Sequence, residues 1–241
     1  MKIKTIKVAI SILMLALTTT GCKGQTQSKD SNYTYKSESS DGIGKWYMGR
    51  EISQVMGHQG IAWLERPERE QEEETTTLLE NMVLQSTDVV ADIGAGSGYH
   101  VFKIAPKVNE GKVFAVDIQQ EMLNAMKKKK NDLDQNNIKL IKGTVKSTKL
   151  PENSVDKVLM VDVYHEFEFP VEMIQSIKNA LRVNGKIYLI EYRAEDKSVP
   201  IKRLHKMTET QAVKEMNAAG FQLIKNIDNL PWQHCMVFSI K

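Results

Sequence analysis

Residues 89–100 read VVADIGAGSGYH: an apolar run of strand length, glycines at positions 94, 96 and 98, then a segment of helical pattern. Glycines between a strand and a helix let the backbone turn sharply and pass close to a ligand. The same alternation continues outward from this turn. KVFAVDI (112–118), IKLIKG (138–143), SVDKVLMVDV (154–163) and GKIYLIEY (185–192) are strand-like apolar runs. Between and after them stand helical stretches, EMLNAMKKKKNDL (121–133), PVEMIQSIKNALRV (170–183) and TETQAVKEMNAAG (208–220). Near-continuous apolar strands alternating with helices predict an α/β fold, a mostly parallel sheet with helices on both faces. The last two runs, FQLIKNI (221–227) and HCMVFSI (234–240), are joined by a short link and predict an antiparallel edge.

The glycine spacing discriminates between ligands. Dinucleotide sites require GxGxxG, but position 99 is Tyr, which argues against a nicotinamide-dependent oxidoreductase. GxGxG with Asp92 two residues before the first glycine resembles motif I of the class I S-adenosylmethionine-dependent methyltransferases, and the resemblance continues in register over about residues 78–240. LPENSVDKVLMVDVYHEF (150–167) and LRVNGKIYLIEY (181–192) match later segments of that family. The resemblance implies a Rossmann-like seven-stranded sheet and S-adenosylmethionine as cofactor. It places Asp92, Gly94, Ala95, Gly96, Ser97 and Gly98 around that cofactor, with Tyr99 over its methionine part. Asp117, at the tip of the second strand, would accept the ribose hydroxyls through charge-assisted bonds, and Ile118 would pack on the adenine. Where the family often carries Gly-Asp, Gly143-Thr144 stands instead, so Thr144 or Ser147 takes the adenine contact. Asp162 closes the fourth strand.

Methyl transfer needs an acceptor aligned with the sulfonium methyl and a route for any acceptor proton. Tyr164, His165 and Glu166 follow the fourth strand and are the catalytic candidates: His165 as a base of near-neutral pKa, Glu166 orienting it or binding substrate, Tyr164 facing the sulfonium with its ring. Two readings of His165 stay open, proton acceptor or packing beneath the cofactor with catalysis by proximity. His58, His165, Glu166 and His205 are the residues that could form a metal set, but nothing in their spacing demands an ion, and none is expected. Arsenite methyltransferases resemble this domain but need several cysteines, and beyond Cys22 only Cys235 remains. The segment YMGREISQVMGHQGIAWLERPEREQEE (47–73) resembles an entry segment of a group of uncharacterised bacterial class I methyltransferases, which are also similar to this chain at YHEF, EYRAED and IKRLHKMT; no substrate follows from that likeness. Trp63, Arg66 and His58 are candidates for a lid, and Arg193 with Lys206 for an anionic acceptor.

The amino terminus carries a different message. Lys2, Lys4 and Lys7, an apolar run from Val8 to Leu17, and small residues before Cys22 follow the order of an export signal. Gly21-Cys22 resembles the lipobox of bacterial lipoproteins, implying acylation of Cys22 and a membrane anchor on the periplasmic side of the cell envelope. If the signal does not act, a cytoplasmic protein is expected. Residues 23–41 read as a polar, disordered tether, residues 42–77 as a helical cap, and residues 78–241 as the methyltransferase domain. Among 241 residues, a charge of +3 and 26% charged side chains exclude a strongly basic nucleic-acid surface, and no protein partner is expected. The acceptor expected is a small or lipid-like molecule. The alternative is an exported ligand-binding protein that keeps the fold without turnover.

Overall fold

A computed structural model describes residues 32–241; the signal reading of residues 1–22 and the start of the tether lie outside them. The expected tether and helical cap need correction. Strands β1 (Tyr33–Tyr35), β2 (Gly42–Tyr47) and β3 (Arg50–Ser53) form a three-stranded antiparallel sheet. Met48 and Gly49, both at positive φ, make the two-residue turn between Tyr47 and Arg50, a geometry that matches the strand twist. The polar stretch orders here because Tyr33 is buried: its hydroxyl donates to Glu172 Oε2 at 2.6 Å and accepts from the Val171 N–H. Only after this hairpin does the cap become helical, with α1 (Ile61–Leu64), α2 (Arg69–Glu73) and α3 (Thr75–Asn81).

The main sheet contains β4 (Val89–Ile93), β5 (Lys112–Asp117), β6 (Ile138–Lys142), β7 (Val155–Val161), β8 (Leu181–Tyr192), β9 (Phe221–Asn226) and β10 (Gln233–Ile240). Their order across the sheet is β6-β5-β4-β7-β8-β10-β9. All the neighbouring pairs from β6 to β8 are parallel, and β10 runs antiparallel to both β8 and β9. The seven-stranded, mostly parallel sheet is as expected; the antiparallel strand lies one place in from the edge.

Helices α4 (Val101–Ile104), α5 (Gln120–Asp132), α6 (Pro170–Ala180) and α7 (Glu209–Ala218) complete the layers. Each face of the sheet has its own core. Ala91, Val158 and Leu189 pack with α6 and α7 residues such as Ile174 and Met216. Val90, Leu159 and Ile190 pack with Leu78, Ile104 and Met126 on the other side. Because successive strand residues point to opposite faces, Val89, Val90, Ala91 and Ile93 of β4 are all apolar and feed both cores. Strand order reverses between β4 and β7, which opens a crevice at their carboxyl ends.

Candidate active site

A cavity of about 490 Å³ lies over the carboxyl ends of β4, β5 and β7, within the size range of small-molecule sites. Its floor is the glycine turn. Gly94, Gly96 and Gly98 have φ of 73°, 55° and 81°, a region that costs an L-residue roughly 1–2 kcal/mol. Space is short as well: a Cβ on Gly94 would sit 2.4 Å from Val163 Cγ2, and one on Gly98 would sit 2.6 Å from Phe102 Cε2. Gly94 and Gly96 line the cavity, whereas Gly98 packs behind the turn.

Asp117 locks this turn. Its Oδ2 accepts the Gly96 N–H at 2.9 Å and its Oδ1 accepts the Gln119 N–H at 2.7 Å. Burial pushes its pKa up against the pull of those two backbone donors. One carboxylate thus joins the ends of β4 and β5 at the cavity wall. Ile118 and Met122 continue the wall, and Gly143, Thr144 and Ser147 close that end, so both candidates for the adenine contact border the cavity. Asp162, just past β7, adopts φ of 50°, which directs the following residues back over the cavity. Its Oδ2 accepts from Gln233 Nε2 at 2.6 Å, while its buried Oδ1 has no hydrogen-bond partner among the described residues. Burial, then Glu73 and Glu191, push its pKa well up.

Opposite the glycine turn, the 3-10 turn Tyr164–Glu166 presents His165 and Glu166 side by side. His165 Nδ1 is 2.5 Å from Glu191 Oε2, and the other oxygen of Glu191 accepts the Tyr164 N–H at 3.0 Å. Burial would lower the His165 pKa, but the adjacent Glu191 outweighs it and the net direction is up. Glu166 Oε1 accepts the Met56 N–H at 3.1 Å, and burial raises its carboxyl to about 7. His205, from the 3-10 turn Arg203–His205 after β8, brings Nδ1 to 3.2 Å from His165 Nε2. Its pKa is lowered, by burial first and then by His165.

The cap supplies the roof. Gln54, Val55 and Met56, continuing from β3, border the cavity, and Met56 is held from both sides, its N–H donating to Glu166 and its carbonyl accepting from Gln119 Nε2 at 2.8 Å. Leu64 and Trp63 of α1 add apolar wall. Glu73 of α2 accepts Arg66, Arg69 and the Tyr192 hydroxyl, tying the cap to β8.

Several expected residues stand elsewhere. Tyr164 turns into the core beneath the site, where its hydroxyl donates to Glu215 Oε2 at 2.8 Å, so its ring cannot face a sulfonium in the cavity. Tyr99 is drawn outward under Arg69, with its hydroxyl accepting from Lys103, and does not line the cavity. Asp92, Ala95 and Ser97 sit behind the turn rather than in the wall. Arg193 is committed to the Leu230 and Pro231 carbonyls and Asp228, and Lys206 to the Asp196 and Val199 carbonyls, so neither awaits an anion. His58 lies away from the cavity, while Arg66 stacks over the Trp63 ring. Sequence reasoning missed Glu191, Asp41 and Met56. The first had a signal: a carboxylate inside the apolar run KIYLIEY must be buried, and a buried carboxylate needs partners.

This fold and crevice define a Rossmann-like methyltransferase scaffold, and the comparisons agree. A model of the "Methyltransferase domain" family matches residues 84–234, more than half the chain, and the chain belongs to that family. An uncharacterized methyltransferase, YdaC, of Bacillus subtilis (strain 168) is 24% identical over 135 residues, 56% of this chain and 72% of that protein. A demethylmenaquinone methyltransferase of Oceanobacillus iheyensis is 25% identical over 114 residues, 47% of this chain and 48% of that protein. The crystal structure of a SAM-dependent methyltransferase from Aquifex aeolicus superposes with a TM-score of 0.73 at 22% identity, covering 78% of this chain and all of that one.

Proposed function

We propose that this protein transfers a methyl group from S-adenosylmethionine to a small or lipid-like acceptor held under the cap. The observation that carries the reading is the cavity bounded by Gly94 and Gly96 on one side and by His165 and Glu166 on the other, with Asp117 at its wall. The residues fit the cofactor. Positive-φ glycines leave the floor bare of side chains, Asp117 keeps lone pairs beyond its two backbone donors, and Asp162 Oδ1 is a buried acceptor suited to an ammonium group. Bound there, S-adenosylmethionine supplies an electrophilic methyl on a sulfonium. The chain's own part is to orient, exclude water and receive a proton. Residues 54–56 and Trp63 shield the cavity. With its Nδ1–H donated to Glu191, His165 turns Nε2 to His205 Nδ1 at 3.2 Å, and this pair of ring nitrogens at the cavity wall is where an acceptor proton would go.

The apolar walls, from Leu64 and Met122 to Phe167, Met173 and Ile201, support an acceptor with a hydrocarbon portion. An envelope location would follow from acylation of Cys22, the order of residues 1–22 being its support. Calorimetry tests the central reading. The wild-type chain should bind S-adenosylmethionine with one site, and Asp117→Ala should weaken it at least about tenfold, since each charge-assisted bond contributes roughly 1.5–3 kcal/mol. No binding, or binding indifferent to Asp117→Ala, rejects it. Methyl transfer from labelled cofactor into an envelope extract separates turnover from mere ligand binding.

A further inference from the structure

The meeting of His165, Glu166 and His205 exceeds what proton transfer requires. Their ligand-capable atoms all lie within 4.8 Å of one another, and all three residues line the cavity. Each imidazole is backed by a carboxylate. His165 Nδ1 faces Glu191 Oε2 at 2.5 Å, and His205 Nε2 faces Asp41 Oδ2 at 3.1 Å. Placing the ring protons on Nδ1 of His165 and Nε2 of His205, toward those carboxylates, leaves the other two nitrogens as lone-pair donors. Those two, His165 Nε2 and His205 Nδ1, point at each other across 3.2 Å. Facing lone pairs at that distance repel unless a proton or a cation lies between them. Glu166 Oε1 adds a third donor, 3.7 Å from His205 Nδ1 and 4.0 Å from His165 Nε2.

A carboxylate behind a histidine, with the other ring nitrogen turned to a shared centre, is the usual second layer of a metal site. Bonds of 2.0–2.1 Å in tetrahedral geometry imply a nitrogen–nitrogen edge of about 3.3 Å, close to the 3.2 Å found. To reach the same edge, the carboxylate oxygen must approach His205 Nδ1 by about 0.4 Å and His165 Nε2 by about 0.7 Å, a side-chain adjustment of Glu166. We propose that His165 Nε2, His205 Nδ1 and Glu166 Oε1 bind a divalent transition-metal ion, with Glu191 and Asp41 as positioning residues. Two nitrogens and one carboxylate oxygen suit zinc, iron(II), cobalt(II) or manganese(II). Three protein ligands leave positions open toward the cavity, as in catalytic rather than structural sites. An acceptor hydroxyl, enol or carboxylate oxygen is the ligand class those positions take; this last clause rests on the methyltransferase reading, the metal site does not. A cation there makes His165 a ligand rather than a free base, and lowers the acceptor's own pKa in compensation.

The test is a cobalt(II) titration of the untagged full chain, followed by its visible absorption bands. Wild type should bind one equivalent. Glu191→Gln, which keeps an acceptor for the Tyr164 N–H, should weaken binding roughly 10- to 100-fold. His205→Ala, at a partly exposed position, should weaken it further, with circular dichroism unchanged. No saturable binding at micromolar cobalt, or equal binding by His205→Ala and wild type, overturns the proposal. So does a proton resonance shared between the two rings that excess cobalt or zinc leaves in place. Parallel calorimetry with S-adenosylmethionine keeps the readings separate: cofactor bound without cobalt defeats the metal site alone, and cobalt bound without cofactor defeats the methyltransferase reading alone.

Discussion

Replacing Arg50 by Met should show how far the amino-terminal hairpin supports the catalytic face. Arg50 Nε is 2.7 Å from Glu215 Oε1, Nη2 is 3.1 Å from Oε2, and Nη1 donates to the His165 carbonyl at 3.0 Å. The side chains are 13% and 0% exposed. Removing one partner of a buried ion pair strands the other charge and costs about 3–5 kcal/mol. Glu215 would keep two donors, the Tyr164 hydroxyl and Gln211 Nε2, which places the expectation at the lower part of that range. For a domain of this size each kcal/mol moves the melting point by about 2–4 °C, so a cost of about 3–4 kcal/mol implies a drop of roughly 6–16 °C by circular dichroism. The loss is mostly the stranded carboxylate. Adding Glu215→Gln, which removes the charge and keeps hydrogen-bonding atoms, should therefore restore more than half of it. A single variant melting within ~3 °C of wild type, or a double variant less stable than the single one, would refute the reasoning.

Asp92 offers a pH test. Burial foremost raises its carboxyl from the ordinary 3.8 to about 7, with Arg69 pulling it down and Asp117 pushing it up. The folded state therefore holds a proton that the unfolded chain has released, so this group's contribution is complete below about pH 4 and is lost as pH rises through about 7. Between pH 4 and 8, cofactor-free wild type should lose up to about 4 kcal/mol more stability than Asp92→Asn; denaturant curves with parallel pH slopes would contradict this. Acylation at Cys22 predicts that the wild-type protein partitions with membranes and that Cys22→Ser releases it to the soluble fraction, with unchanged fractionation counting against a lipid anchor.

The glycine turn was legible because its requirement is local: three positive-φ positions after a buried strand admit few residues other than glycine. Asp117 was legible for the same kind of reason, as an acid at the tip of an apolar run. Tyr164 was misjudged because adjacent letters do not say which side of a short turn each will face. His165 and Glu166 both reach the cavity through the 3-10 geometry, while Tyr164 is drawn down to Glu215. The hairpin at 42–53 was missed because its polar, glycine-containing strands carry little alternation. It orders through a long-range contact, Tyr33 with Glu172, and through Arg50 with Glu215.

By itself the sequence determined the α/β class, the parallel order of strand and helix, and the ligand-facing turn, since hydrophobic period and glycine spacing act over a few residues at a time. The surroundings of the reacting face are set by contacts between remote segments. Asp41, Glu191 and His205 come from segments distant from His165 and Glu166, and their meeting depends on strand order, on the left-handed turn at Asp162 and on the chain entering and leaving the amino-terminal hairpin at Asp41 and residues 54–56. Those are contacts between distant parts of the chain, and no local pattern in the sequence encodes them.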